Sequence, residues 1–375
     1  MGFRAVIFVF FLCLSLVPLC MVEDGNASSN ASAGRTGDGQ LRTTQGAPVV
    51  LKNIAYFEAG PYWEFALLRE KIAAALERLH VLDRLQFPES VHVSPGWDAD
   101  AEAFRAEAKR LMSDPSVDLI MSMGTVATKA LLAENNGKTP IVSIDVADPV
   151  GTGIIDARTG KGASNLTLQY TPDKWQKVFV LFHQVLPFNK IGIMYHDSPE
   201  GRSYSNVNEA REVARDRGFT LVEYPKLDKG ESEQSCIDGV ETLISQDVDA
   251  FYISALNCFD WTKENPRKIF EALHENGIKT FARDGSVHVR NGALMGLSTL
   301  DYAPLGEFYA SRIANLLGFV QESAPMVENQ YSPKITLNLD TASELKLDIP
   351  LVLLITADEI FDSSLAPVKN EIGAK

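Results

Sequence analysis

From residue 49 onward the chain alternates short apolar runs with amphipathic stretches, and that alternation narrows its fold more than any other feature. Residues 49–56 read as a strand, followed by a turn at Glu58-Ala59-Gly60-Pro61. In the helix after it, Phe65, Leu68, Ile72, Leu76 and Leu79 step by three and four along one face. Residues 118–124 form a buried strand closed by glycine, 125–134 the next helix and 140–145 the next strand. A helix over 172–186 aligns Trp175, Val178, Phe179, Phe182 and Leu186. The second half repeats the theme, with strands at 190–195, 219–224, 249–254, 279–282 and 293–297. Helices at 206–217, 234–245, 266–276 and 304–317 separate or follow them. Strands alternating with amphipathic helices imply βαβ units and parallel sheets covered on both faces. Roughly ten strands exceed one comfortable sheet. The expected fold is therefore α/β, with two Rossmann-like lobes of parallel sheet joined by a hinge.

The N-terminus sets the compartment. Arg4 precedes the apolar run of residues 5–17 and then Pro18-Leu19-Cys20. A basic start and an apolar stretch of this length fit an export signal better than a membrane span, which needs ~20 apolar residues. An uncleaved anchor is the alternative. Cys20 occupies the position of a bacterial lipoprotein cysteine, and residues 21–48 form the polar tether such proteins carry. Leu19, where a small residue belongs, argues against lipidation, and Ala31-Ser32-Ala33 offers another cleavage site. Residues 1–20 are thus read as a signal peptide and the body as exported.

Charge and motifs remove other classes. Thirty-five basic residues face 49 acidic ones, for a net charge of −14, the wrong sign for a nucleic-acid binder. In an oxidising compartment Cys236 and Cys258 either form a disulfide or stay as buried thiols, because sequence does not give their Cα separation. There is no Walker loop, Gly-x-Ser-x-Gly elbow or His-Glu-x-x-His pair. The six histidines lack ligand spacing. No cofactor, metal or catalytic residue is expected, and the chain reads as a binder, not an enzyme.

In open α/β sheets ligands bind beyond the carboxyl ends of the strands. Those ends carry Phe57 and Glu58, Gly124 and Thr125, Asp145, Tyr195, Ser254 and Asn257, and Arg283, Asp284 and Ser286. Two loops add Tyr62 with Trp63, and Ser203, Tyr204 and Asn206. Gly124-Thr125 opens a helix whose N–H groups suit a carboxylate, or Thr125 simply caps that helix. Asp145 suits an ammonium group, whereas Asp148 before Pro149 shapes a turn. Tyr62 and Trp63 either stack on an aromatic ring or pack. Arg283 and Asp284 either clamp a zwitterion or pair with each other across a closed cleft.

Two segments carry a resemblance: Asp118-Leu-Ile-Met-Ser-Met-Gly124-Thr125-Val-Ala-Thr128, and residues 140–153 with Asp145, Asp148-Pro149 and Gly151-Thr-Gly153. Together they resemble the paired motifs of an ABC-transporter substrate-binding family that has a type I periplasmic-binding-protein fold and whose best-known members, the TrpX-like proteins, bind aromatic amino acids. Asn165-Leu166-Thr167, residues 190–195 and 292–298, Asp301-Tyr302 and residues 347–350 continue the match in order across 50–360. The resemblance implies an N-terminal lobe of 49–165 plus about 283–318, and a C-terminal lobe of 166–282 plus about 319–365. It also implies capture of a small ligand, an amino acid or related aromatic compound, and its delivery to an ABC permease. Such a protein would act as a monomer in the periplasm or cell envelope, touching the membrane only through a lipid on Cys20. Two stretches depart from the family pattern: the aromatic first loop with Tyr56, Phe57, Tyr62 and Trp63, and the long loop 198–206. Both lie where ligand should bind. A ligand sensor of the same fold partnering a receptor kinase is the alternative, with an enzyme on this scaffold further behind.

Overall fold

The run after residue 50 becomes β1 (Lys52–Glu58), whose last five residues are all buried because helices cover both faces of its sheet. Then follow α1 (Trp63–Arg78), the short strands β2 (Leu85–Gln86) and β3 (His92–Val93), α2 (Ala101–Ser113), β4 (Leu119–Met123), α3 (Gly124–Ala133), β5 (Ile141–Ile144) and β6 (Leu166–Gln169). Next come α4 (Lys174–Val185), β7 (Lys190–Met194), α5 (Pro199–Tyr204), α6 (Val207–Arg217), β8 (Thr220–Tyr224), α7 (Glu233–Ile244), β9 (Ala250–Ile253), α8 (Asn265–Glu275) and β10 (Lys279–Ala282). The last elements are α9 (Ser286–Arg290), β11 (Met295–Gly296), α10 (Ala303–Leu316), β12 (Val327–Glu328), β13 (Thr336–Asn338), α11 (Leu339–Glu344), α12 (Leu351–Thr356) and β14 (Glu359–Phe361).

This computed structural model describes residues 51–297, 302–321, 327–328 and 334–365. The signal peptide, Cys20, the tether, and Ser298 and Asp301 of the resemblance lie outside the described residues. No described helix is long and apolar enough to cross a membrane.

Among the described residues the strands make two seven-stranded sheets. The first is parallel, in the order β12-β6-β5-β4-β1-β2, with β3 also paired to β1. The second runs β14-β13-β11-β10-β9-β7-β8, parallel except where β13 meets β11. Register aligns the carboxyl ends within each sheet. Glu58 lies opposite Met123, Met123 opposite Ile144, and Ile253 opposite Ala282. The loops after β1, β4 and β5 therefore emerge side by side, as do those after β9 and β10.

Each sheet is packed on both faces. Phe179, Phe182, Tyr252 and Phe281 fill one face of the second sheet, and Phe251, Phe259 and Phe270 the other. Burying each such ring is worth about 1.5–3 kcal/mol. On the first sheet α1 packs against α10, and Gly306 permits the approach: a Cβ there would lie 2.7 Å from the Lys71 carbonyl oxygen. Cys236 on α7 and Cys258 after β9 are joined in a disulfide, with Cα atoms 5.6 Å apart.

The sheets redraw the expected lobe boundaries. β6, placed in the second lobe by a boundary at 165/166, pairs with β5 in the first sheet. β11 lies in the stretch 283–318 assigned to the first lobe, yet it pairs with β10 in the second sheet. β12, within 319–365, pairs with β6 in the first. Strand pairing joins residues far apart in sequence, and apolar periodicity carries no information about it.

Candidate ligand-binding site

The carboxyl-end loops of the two sheets meet around a cavity of about 50 Å³. In that measure a single water needs ~10–15 Å³, so the space suits a few waters or one end of a small molecule. From the first sheet its wall takes Tyr62, Phe65, Trp97, Gly124, Thr125, Asp145 and Ala147; from the second, Tyr204, Glu231, Ala255, Asn257 and Arg283.

Local geometry aims these groups. Gly124 turns the chain from β4 into α3 with φ +79°, in the left-handed region, so the amino end of α3 reaches the wall. The Thr125 hydroxyl is not a cap. It accepts the Ala147 N–H at 3.1 Å and braces the loop after β5 against α3. The Trp97 indole donates to the Pro61 carbonyl at 3.0 Å, fixing the aromatic first loop at the rim.

Beside the cavity a buried ion network ties the lobes. Arg283, its side chain 2% exposed, sets Nη1 at 2.9 Å from both carboxylate oxygens of Asp284. Its Nη2 reaches Asp145, at the end of β5, at 3.4 Å. Its guanidinium also lies 4.7 Å over the Trp175 ring of α4. Tyr62 donates to Asp284 at 3.2 Å, and the Trp175 indole donates to the Ala147 carbonyl at 3.2 Å. Arg283 and Asp284 thus pair as neighbours on one strand end, and Arg283 also reaches across the cleft to Asp145. Burial, then the nearby carboxylates of Asp284 and Asp145, hold the Glu64 carboxyl well above the usual range. Burial also raises Asp145, against the pull of Arg283. At the cleft edge Lys129 of α3 pairs with Glu200 of α5 at 3.1 Å.

Glu231 lies between β8 and α7. Its carboxylate accepts the Asn257 N–H and, at 3.3 Å, the Tyr204 hydroxyl. Burial pushes its pKa up to about 7. The Cys236–Cys258 disulfide links the helix that follows Glu231 to the turn holding Asn257.

Of the residues read from the sequence, the structure brings Tyr62, Gly124, Thr125, Asp145, Tyr204, Asn257 and Arg283 around one cavity, with Asp284 behind Arg283. The others stand elsewhere. Phe57 packs against Phe104, and Glu58 accepts the Tyr56 hydroxyl. Trp63 meets His288 edge-on. Tyr195 donates to Glu223 at 2.6 Å, and Asn206 accepts from Tyr252 at 2.9 Å. Ser203, Ser254 and Ser286 are buried off the cavity wall. The strand-end rule locates a loop but not the direction of each side chain in it. Glu231, Trp97 and Phe65 were missed. Glu231 follows the carboxyl end of β8, so the same rule extended by a few residues reaches it; Trp97 follows a two-residue strand that no periodicity reveals.

Comparison with known proteins adds a family and a fold. The family model described as ABC transporter substrate binding protein matches residues 98–361. No curated protein matches the chain. Among solved structures, an ABC domain from Streptococcus pneumonia in complex with L-Trp aligns with TM-score 0.65 and 19% identity, over 83% of this chain and 100% of that one. A ligand-free, open substrate-binding protein with adhesive properties from Clostridium difficile aligns at 0.52 and 23%, over 83% and 99%. A periplasmic sugar-binding protein of an ABC sugar transporter from Legionella pneumophila aligns at 0.51 and 13%, over 72% and 96%. At these identities the likeness is one of fold: α/β, two largely parallel sheets, the type I periplasmic-binding-protein architecture.

Proposed function

The chain belongs to the ABC transporter substrate-binding protein family, and from that membership we propose that it captures a small solute between its two lobes for an ABC permease. The observation that carries the reading is convergence: loops from both sheets wall one cavity, and Arg283, Tyr62 and Trp175 tie the lobes together beside it. Contacts made only when the lobes are shut bias a hinge toward closure, and a solute seated there adds to that bias. The solute class is an amino acid or related aromatic compound. The amino end of α3 suits its carboxylate, and Tyr62, Phe65 and Trp97 suit a ring. The protein works outside the cytoplasm after export through its N-terminal signal, with Cys20 as the point of any lipid anchor.

The test is native mass spectrometry of the purified protein to identify what it carries, followed by a thermal-shift panel of amino acids. A ligand at 100 times its Kd stabilises the closed form by about 2.7 kcal/mol. Aromatic amino acids that leave the melting point unmoved, while another class raises it, would overturn the ligand assignment.

A further inference from the structure

Glu231 is a charged group on the cavity wall whose role neither the strand ends nor the family resemblance supplies. The residue is 8% exposed and takes φ +50°, a left-handed conformation that non-glycine residues seldom adopt. Holding a glutamate there costs stability, and the neighbouring disulfide and the Asn257 and Tyr204 hydrogen bonds maintain it. Among the described residues no cation stands within ion-pair distance of its carboxylate. The charged or titratable groups that act on it are Tyr204 of α5, Asp228 in its own loop, and Lys263, which pairs with Asp260 at 3.4 Å. The same cavity is walled by Asp145 from the first sheet and by Arg283 from the second, and Arg283 is already met by Asp284 and Asp145. The wall therefore holds a buried carboxylate with no counter-charge within ion-pair distance. An anionic group set against this carboxylate would be repelled, whereas a cationic one would neutralise it.

We infer that Glu231 binds a cationic nitrogen of the solute, so that the solute class is a small amine or amino acid and not a sugar or a free acid. This rests on the binding-protein reading and narrows it.

The experiment incubates the full chain, as wild type and as E231Q, with an equimolar mixture of amino acids, their decarboxylated amines, their deaminated acids and hexoses. Retained compounds are identified by mass spectrometry after desalting. The wild type should retain compounds with a basic nitrogen, and E231Q should bind the same compounds roughly 10- to 150-fold more weakly, the range for a hydrogen bond to a charged group. A second measurement needs no variant. With the carboxyl titrating at about 7, affinity of the wild type for the retained amine should fall on the order of 30-fold from pH 8 to pH 5.5 as the carboxylate takes up a proton. Retention of hexoses or deaminated acids would overturn the inference and leave the binding reading standing. Equal binding by a folded E231Q, or affinity flat from pH 8 to 5.5, would also overturn it. Retention of nothing from the mixture would overturn the binding reading and this inference together.

Discussion

Reduction of the Cys236–Cys258 disulfide should destabilise the second lobe by an amount that follows from the chain it closes. The bridge spans a sequence separation of 22. Closing a loop of that length removes about 11 cal/mol/K of entropy from the unfolded ensemble, or about 3.4 kcal/mol at 25 °C. If the whole body of about 300 residues melts as one unit, that corresponds to a drop of roughly 5 °C; if half melts alone, the drop is about twice as large. Differential scanning calorimetry of the oxidised protein, the same protein in reductant, and a C236A/C258A variant would measure it. The double variant isolates the cross-link from the thiols, and alanine places no polar group in a site that is fully buried. Solute binding should weaken together with stability, because the bridge anchors the turn holding Asn257 to α7, next to Glu231. The loop-closure argument fails if all three samples melt within about 1 °C of one another, since an effect of this size cannot hide inside that margin.

Three further outcomes are expected. Replacing Arg283 by methionine leaves the buried Asp284 and the half-buried Asp145 without their cation; the loss should be about 3–5 kcal/mol, read by urea denaturation, and a midpoint equal to wild type would show the network to be slack. G306V should cost about 1–3 kcal/mol by driving α10 off α1, and an unchanged midpoint would mean that the helices shift freely. Burial pulls the His288 pKa down to about 3, and its Nδ1 accepts the Trp261 indole N–H at 2.9 Å. Between pH 6.5 and 3 the unfolded chain binds a proton at this position that the folded chain refuses, so stability should be lost as pH falls, at about 1.4 kcal/mol per unit. H288Q should flatten that acid limb in chemical denaturation between pH 7 and 4, and an identical slope in the two proteins would refute the assignment.

What periodicity could reveal was local. The stripe of Trp175, Val178, Phe179, Phe182 and Leu186 is buried in one core, because a helix face follows from spacing alone. The α1 stripe holds through Leu76, but Leu79 falls on the cap and is 41% exposed, since the turn that ends a helix is not written in its apolar pattern. The six residues of α5 carry too little periodicity to mark a helix, so the sequence places Tyr204 only in a loop. The membership of β6, β11 and β12 depended on partners far along the chain. For the site, strand ends gave the neighbourhood. Whether a side chain faces the cavity, as Asp145 does, or turns to a partner elsewhere, as Tyr195 does, depends on packing that no single element determines.

The order of strands also governs how the molecule can be taken apart. The chain passes from the first sheet to the second after β6, back before α10, and over again between β12 and β13. A protease that nicks one passage leaves the two halves covalently joined through the other two. No contiguous stretch of sequence encodes a complete lobe, so neither can be expressed by trimming the termini. During synthesis, α1 and β1 must wait for α10 until most of the second sheet has been made. The N-terminal half is therefore begun first and finished late, and a truncation ahead of α10 would strip the cover from a lobe whose own strands are all present but for β12.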